Sequence, residues 1–130
     1  MVRRQRVPQG RGQDGQGLIE FAIALPALLL TALALVQFAL YVYAQDVVTT
    51  ACAEGAIVAA AGDGTPGDGI ATARSLLASG LGGEASAVTV QGAVGGNVVT
   101  VEATGGMPIF LLGPQFRLPL HARSVMVKEG

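Results

Sequence analysis

Between Glu20 and Asp46 the chain carries no Asp, Glu, Lys, Arg or His, a gap of 25 residues. The apolar stretch Leu18–Ala44 reads LIEFAIALPALLLTALALVQFALYVYA. Crossing a ~30 Å hydrocarbon layer takes about 20 helical residues, so this stretch is long enough. Lipid offers no partner to peptide groups, and a helix satisfies all of them internally. Pro26 removes one internal hydrogen bond, which membrane helices tolerate. Charged residues make up 13% of the 130 residues, against about 25% in ordinary soluble domains. This argues against a plain soluble enzyme and against a disordered tail.

Flanking charge predicts orientation. Arg3, Arg4, Arg6 and Arg11 precede the run, and Asp46 and Glu54 follow it. Basic residues stay on the cytoplasmic side. The expected topology is therefore a single-pass cytoplasmic (inner) membrane protein, N-terminus inside and C-terminal domain exported. Tyr41 and Tyr43 are expected at the far interface, where amphipathic rings lie. A cleavable secretory signal is the rival reading, with Val42-Tyr43-Ala44 as its cleavage site. The run is longer than the ~7–15 residues of a signal core, and it contains Glu20. Arg3-Arg4 lacks the continuation of a twin-arginine signal.

The remaining chain predicts an α+β fold, with one long helix laid on a small antiparallel sheet. The helix is expected from about Gln16 to Ala61. Val47, Val48, Ala51, Cys52, Gly55, Val58 and Ala59 recur at helical spacing and form one apolar stripe. Asp46, Thr49, Thr50 and Glu54 point elsewhere. Residues 62–69 read as a loop and 70–79 as a short amphipathic helix. Residues 87–91 and 99–103 alternate with period two around Gly95-Gly96-Asn97, a hairpin. A last strand is expected over 117–127, with Pro119 marking an edge or bulge. Met107–Leu112 is apolar but short, and is expected to be a loop covering the core. The 69 residues from Gly62 onward are marginal for a core of their own, so the helix stripe must complete it. The expected organisation is a basic leader over 1–15, a transmembrane helix over 16–44, its extracytoplasmic continuation over 45–61, and a small exported domain over 62–130.

Catalytic, cofactor and metal residues are not expected. One His and one Cys make a structural zinc site untenable and an internal disulfide impossible. Gly10-x-Gly12-x-x-Gly15 fits a dinucleotide-binding spacing but follows no strand. Asp63 and Asp68 fit no calcium loop, and Ser75, His121 and Asp68 form no legible triad. A formal net charge of −1 gives no electrostatic drive toward nucleic acid. Cys52 reads as a small buried hydrophobe or as an intermolecular disulfide partner.

Glu20 is the charge that needs a cause. An acid in a membrane segment costs a few kcal/mol at the centre and less near an edge. It either snorkels to the interface or meets a partner. Its context is Gly15-Gln16-Gly17-Leu18-Ile19-Glu20-Phe21, a glycine before the apolar helix, then Glu five residues on and an aromatic. This resembles the processing site of prepilins of the type IV pilin superfamily. The chain as a whole resembles the TadE-like family of pseudopilins from tight-adherence (Flp-type) pili. The resemblance extends to Arg11-Gly12-Gln13, the apolar run with Pro26, Tyr43-Ala44-Gln45, Glu54-Gly55-Ala56, and the closing Ala122-to-Met126 strand. The family usually has Arg on both sides of Glu-Gly-Ala, where this chain has Ala53 and Ile57. It also has Lys128 where Arg is usual.

The resemblance implies a non-enzymatic minor pilin or pseudopilin, cut between Gly15 and Gln16 by a prepilin peptidase. Cutting there leaves four basic and eight acidic side chains, a net charge of −4. It implies that Glu20, followed by Phe21, meets the new amine of a neighbouring subunit during assembly. Expected partners are the peptidase, other pilins and pseudopilins of the system, the inner-membrane assembly platform and the lipid bilayer. The mature subunit could then enter the extracellular pilus and serve cell adhesion. Ala24, Ala27, Thr31 and Ala34 share the Glu20 face and would form a helix-packing surface. The alternative is a signal-anchored exported binding domain outside any pilus.

Overall fold

The computed structural model describes residues 10–110 and 112–129. Three of the leader arginines, Arg3, Arg4 and Arg6, lie outside the described residues. Helix α1 spans Gly10–Ala60 and α2 spans Pro66–Leu81. A short 3₁₀ turn over Gly82–Ala87 leads into strands β1 (Val88–Gly95), β2 (Val98–Ile109) and β3 (Gly113–Val127). The strands form one antiparallel sheet in the order β1-β2-β3. This is a long apolar N-terminal helix whose later part packs on a three-stranded antiparallel sheet, the expected α+β arrangement. The chain divides into two compact units, Met1–Val36 and Gln37–Gly130, with α1 running through both.

In the first unit every described side chain from Gly15 to Val36 is exposed. The helix is long and apolar enough to cross a membrane, and none of its most apolar stretch is buried. It begins at Gly10, six residues before the expected start, and continues through Pro26.

In the second unit the predicted stripe is the buried face of α1. Val48, Ala51, Cys52, Gly55 and Ala59 are buried, and Val47 and Val58 are half-buried. Asp46, Thr49, Thr50 and Glu54 are exposed, as their positions on the helix require. Burial starts earlier than expected, at Gln37, inside the stretch assigned from sequence to lipid. Gln37, Tyr41 and Ala44 continue the stripe upstream at four- and three-residue steps. Their face was hidden in the sequence because the flanking residues are apolar too.

The loop expected over 62–69 is shorter than that, because α2 begins at Pro66. Thr65 Oγ1 accepts from the Asp68 N–H at 3.2 Å, and the Thr65 N–H donates to Asp68 Oδ2 at 3.0 Å. With Pro66 at the first helical position this is a reciprocal cap, which satisfies two donors at the helix boundary. The hairpin turn is two residues, Gly96-Asn97, flanked by the Gly95–Val98 pair. Gly96 has φ 63°, the positive value that a type II′ turn needs at its first central residue. Pro119 lies on the edge strand β3, as expected, opposite Gly106. Met107–Ile109, expected in a covering loop, instead extends β2. Phe110 and Leu112 then stand exposed on the β2–β3 turn rather than over the core.

The core is built of small side chains. Its largest fully buried members are Leu77, Val48, Val99, Val101 and Cys52, among many alanines. Layers of Ala and Gly bring backbones close, and α1 meets α2 at Gly55 and Gly69. A Cβ on Gly55 would stand 2.6 Å from the Gly69 carbonyl oxygen, and one on Gly69 would stand 2.5 Å from that of Gly55. Backbone atoms cannot move aside as a flexible side chain can. Gly55→Val is therefore expected to destabilise the folded chain by about 1–3 kcal/mol through overpacking. Gly83→Ala, where an added Cβ meets nothing within 4 Å, should stay within about 0.5 kcal/mol of wild type. Urea unfolding of both variants in detergent checks this.

Candidate functional site: the first helix and its ties to the sheet

Two sets of residues on α1 carry the functional reading. The first set is Gly15, Gln16, Glu20 and Phe21, near the helix start. All four are helical and exposed. A Cβ at Gly15 or Gly17 would meet nothing within 4 Å, so neither glycine is there for packing within the chain. Among the described residues Glu20 forms no ion pair; the pairs present are Arg117–Glu84 and His121–Glu102. At about 100° per residue, Glu20, Ala24, Ala27, Thr31 and Ala34 fall within an arc of about 80°. Thr31 Oγ1 donates to the Ala27 carbonyl at 2.8 Å. Its hydroxyl is thereby satisfied within the helix, so this face offers methyl-sized relief without an unmet donor. Phe21, Leu25 and Leu28 border a shallow groove beside Ala24, Ala27 and Thr31.

The second set was not legible as functional in the sequence. Gln37 Nε2 donates to the Pro108 carbonyl at 3.3 Å, and its Oε1 accepts from the Phe110 N–H at 3.2 Å. Gln45 makes the same two-point contact with the His121 backbone, its Oε1 accepting from the N–H at 3.3 Å. Between them Tyr41 Oη donates to the Pro119 carbonyl at 3.0 Å. Residues 37, 41 and 45 are one helical turn apart, so they form a polar ladder along one face. Pro119 has the same parity as His121 on β3, whose amide is taken by α1. Its missing N–H therefore faces the helix side and costs the sheet no ladder bond. Tyr43 Oη donates to the Gly80 carbonyl at 2.9 Å, near the end of α2. Tyr41 and Tyr43, expected as interface markers, are thus ties between the helix and the rest of its own unit.

The far end of α1 is closed by the C-terminal strand. Lys128 Nζ donates to the Gly64 carbonyl at 2.8 Å and to that of Ala59 at 3.4 Å. The Glu129 N–H donates to the Ala60 carbonyl at 2.9 Å. A cation at a helix C-terminus also meets the negative end of the helix dipole.

Among the described residues no group of three or more His, Cys, Asp or Glu is placed to hold a metal. One cavity of about 440 Å³ is lined by Arg74, Leu77, Ala85, Ser86, Val88 and Thr89, without an acid or a His to activate a nucleophile. His121 lies exposed, 3.1 Å from Glu102 across the outer face of the sheet.

A long apolar N-terminal helix packed against a three-stranded antiparallel sheet is a pilin-like arrangement. Comparison with family models makes this specific: residues 15–56 match the family described as TadE-like protein. Over those residues, about a third of the chain, the sequence is similar to the TadE-like family. That family is generally non-enzymatic. The match starts on Gly15 and ends just past Gly55, and the sheet lies outside it. No curated protein and no solved structure matches the chain.

Cys52 is fully buried, and its thiol donates to the Ala122 carbonyl at 3.6 Å. Burial pushes the thiol pKa up, a backbone hydrogen bond from Ala103 opposes this, and the Glu102 carboxylate adds to it. This is the small buried hydrophobe of the two readings. The unfolded thiol ionises at its ordinary pKa and the folded one only above it. The unfolded state therefore loses its proton first, and stability falls as pH rises through the ordinary thiol range. Urea midpoints should decline there in wild type and less steeply in Cys52→Ala. Iodoacetamide should label Cys52 only in unfolded protein.

Proposed function

We propose that the chain is a minor pilin or pseudopilin of a tight-adherence pilus, processed by a prepilin peptidase before assembly. The observation that carries this reading is the family match opening on Gly15, five residues before Glu20, the acid that heads the 25-residue uncharged run of the helix. The peptidase would cut the Gly15–Gln16 bond, removing the basic leader 1–15. Glycine suits the residue before the cut because its bare backbone enters a narrow site.

The mature chain starts as a single-pass inner-membrane protein with its sheet outside. The lipid-embedded part runs from about Leu18 to Val36, where side-chain exposure is unbroken. Nineteen helical residues reach about 28 Å at 1.5 Å each, close to the ~30 Å hydrocarbon thickness. The 16–44 estimate made from sequence extends further, over residues that pack on the sheet. Ordinary secretion with cleavage after Ala44 is the poorer reading. It would sever α1 beside a buried residue and remove Gln37, Tyr41 and Tyr43 from the unit they hold together.

Once cut, Gln16 carries an α-amine whose ordinary pKa is about 7.7–8.0. A carboxylate in apolar surroundings is costly unless a cation meets it. The Glu20 of one subunit meets the amine of its neighbour, and this pairing sets the register of adjacent helices. The small face of Ala24, Ala27, Thr31 and Ala34 lets the helices approach closely. The partners are the peptidase, other pilins of the system, the assembly platform and the bilayer; no catalytic step, cofactor or nucleic acid is involved.

Mass measurement of the mature N-terminus tests the reading. Gln16 is the expected first residue in cells with the peptidase; Met1 or Val2 points to an uncleaved anchor, and Gln45 to ordinary secretion. Gly15→Val should abolish trimming while leaving the urea midpoint unchanged, since nothing lies within 4 Å of the added Cβ. Glu20→Val should be trimmed normally yet co-purify with other pilus subunits at least tenfold less, the factor for a loss of about 1.4 kcal/mol. Undiminished co-purification removes the assembly role of Glu20.

A further inference from the structure

We infer that the tip of the β2–β3 hairpin is a second membrane contact, an apolar wedge seated in the outer interfacial layer of the bilayer beside the exit of α1. The inference rests on the membrane-spanning reading of α1 given above. The tip exposes Phe110 at 70%, Leu112 at 59% and Phe116 at 49%. Large apolar side chains grouped this way on a small domain mark a contact surface. The tip is a built turn: the Leu112 N–H donates to the Ile109 carbonyl at 3.2 Å, and Gly113 has φ 99°.

Its place is fixed by Gln37. The Gln37 amide holds the Phe110 N–H and the Pro108 carbonyl, and Gln37 follows Val36, the last residue of the unbroken apolar exposure, by one peptide bond. The hairpin tip is therefore tied to the helix at the point where the helix leaves lipid. Local charge fits the same occupant. From Ala103 to Leu120 the chain has one ionisable side chain, Arg117, and no acid. Arg117 donates to the Gly106 carbonyl at 3.2 Å and lies 3.5 Å from Glu84, so no free acid in this stretch resists the lipid surface. Backbone in a turn cannot enter the hydrocarbon without leaving polar groups unmet, so the wedge stops at the headgroup and upper acyl level. Aromatic side chains are favoured at that depth.

The chain contains no Trp, so single-Trp variants report depth directly. Full-length Phe110→Trp, Leu112→Trp, Leu28→Trp and Val125→Trp are reconstituted in phosphatidylcholine nanodiscs, one copy each, with lipids brominated high or deep on the acyl chain. Val125 is exposed on β3, about 40 Å along the strand from the tip at ~3.3 Å per residue. The expected result is that Phe110→Trp and Leu112→Trp emit to the blue and lose most of their emission to the shallow bromine, Leu28→Trp loses it to the deep bromine, and Val125→Trp keeps it. If Leu28→Trp is quenched while both tip variants stay red and bright, the wedge is wrong and the span stands. If Leu28→Trp is not quenched, the span fails and takes the wedge with it. A blue but unquenched tip means protein covers it, and equal quenching at Val125 means the whole sheet lies on lipid; either result overturns the inference.

Discussion

The second half of α1 is the piece without which the sheet has no core. Ala44, Val48, Ala51, Cys52 and Ala56 supply one wall, and Val88, Val90, Val101, Ala103, Leu120 and Ala122 supply the other. A three-stranded sheet with a single short helix is too small to bury enough apolar surface alone. The same continuous helix is fully exposed in its first half. Its side chains divide at Gln37, exposed before it and packed on the sheet from it onward.

How α1 grips the sheet follows from the small side chains between them. Alanines, glycines and one cysteine bury little area each, so the layers gain by close approach and by hydrogen bonds rather than by bulk. Gln37, Tyr41, Tyr43 and Gln45 all reach main-chain groups. Such ties depend on backbone position and not on which side chains the strands carry. Gly55 is required by geometry, the backbone of α2 lying where a side chain would be.

What the sequence disclosed follows from which signals are local. Period-two alternation around Gly96-Asn97 gave the hairpin, because turn chemistry and strand pattern agree there. The stripe from Val47 to Ala59 was visible because Asp46, Thr49, Thr50 and Glu54 contrast with it. Upstream of Ala44 that contrast vanishes, and the packing role of Gln37 and Tyr41 could not be separated from a lipid-facing run. Thr65-Pro66-Gly67-Asp68 has the Gly and Pro content of a loop, although it is a capping box with Pro at the first helical position. Met107–Ile109 continues β2 because β3 extends to pair with it, a long-range partner no local pattern announces. The candidate residues Gly15, Gln16, Glu20 and Phe21 were legible through a resemblance, and no contact within this chain would have singled them out.

The helical state of Gly10–Gly15 bears on how the proposed cut could occur. Proteolysis needs extended backbone, yet the Gly15–Gln16 bond lies inside α1. Gly10, Gly12, Gly15 and Gly17 fall within its first eight residues, and each costs about 1 kcal/mol of helix stability relative to Ala. No acid lies in the first turn to favour the positive end of the dipole. This end is therefore the part of α1 that unwinds most cheaply. Cutting also changes the setting of Glu20. Before the cut it is the eleventh residue of the helix, beyond the reach of the dipole at the N-terminus. Afterwards it is the fifth, and its Cα–Cβ bond leans back toward the new terminus. The carboxylate then lies over a turn that ends in free N–H groups and an ammonium, where negative charge is favoured. Trimming would thus turn a poorly placed acid into one stabilised by the helix end itself, ready for the amine of an adjoining subunit.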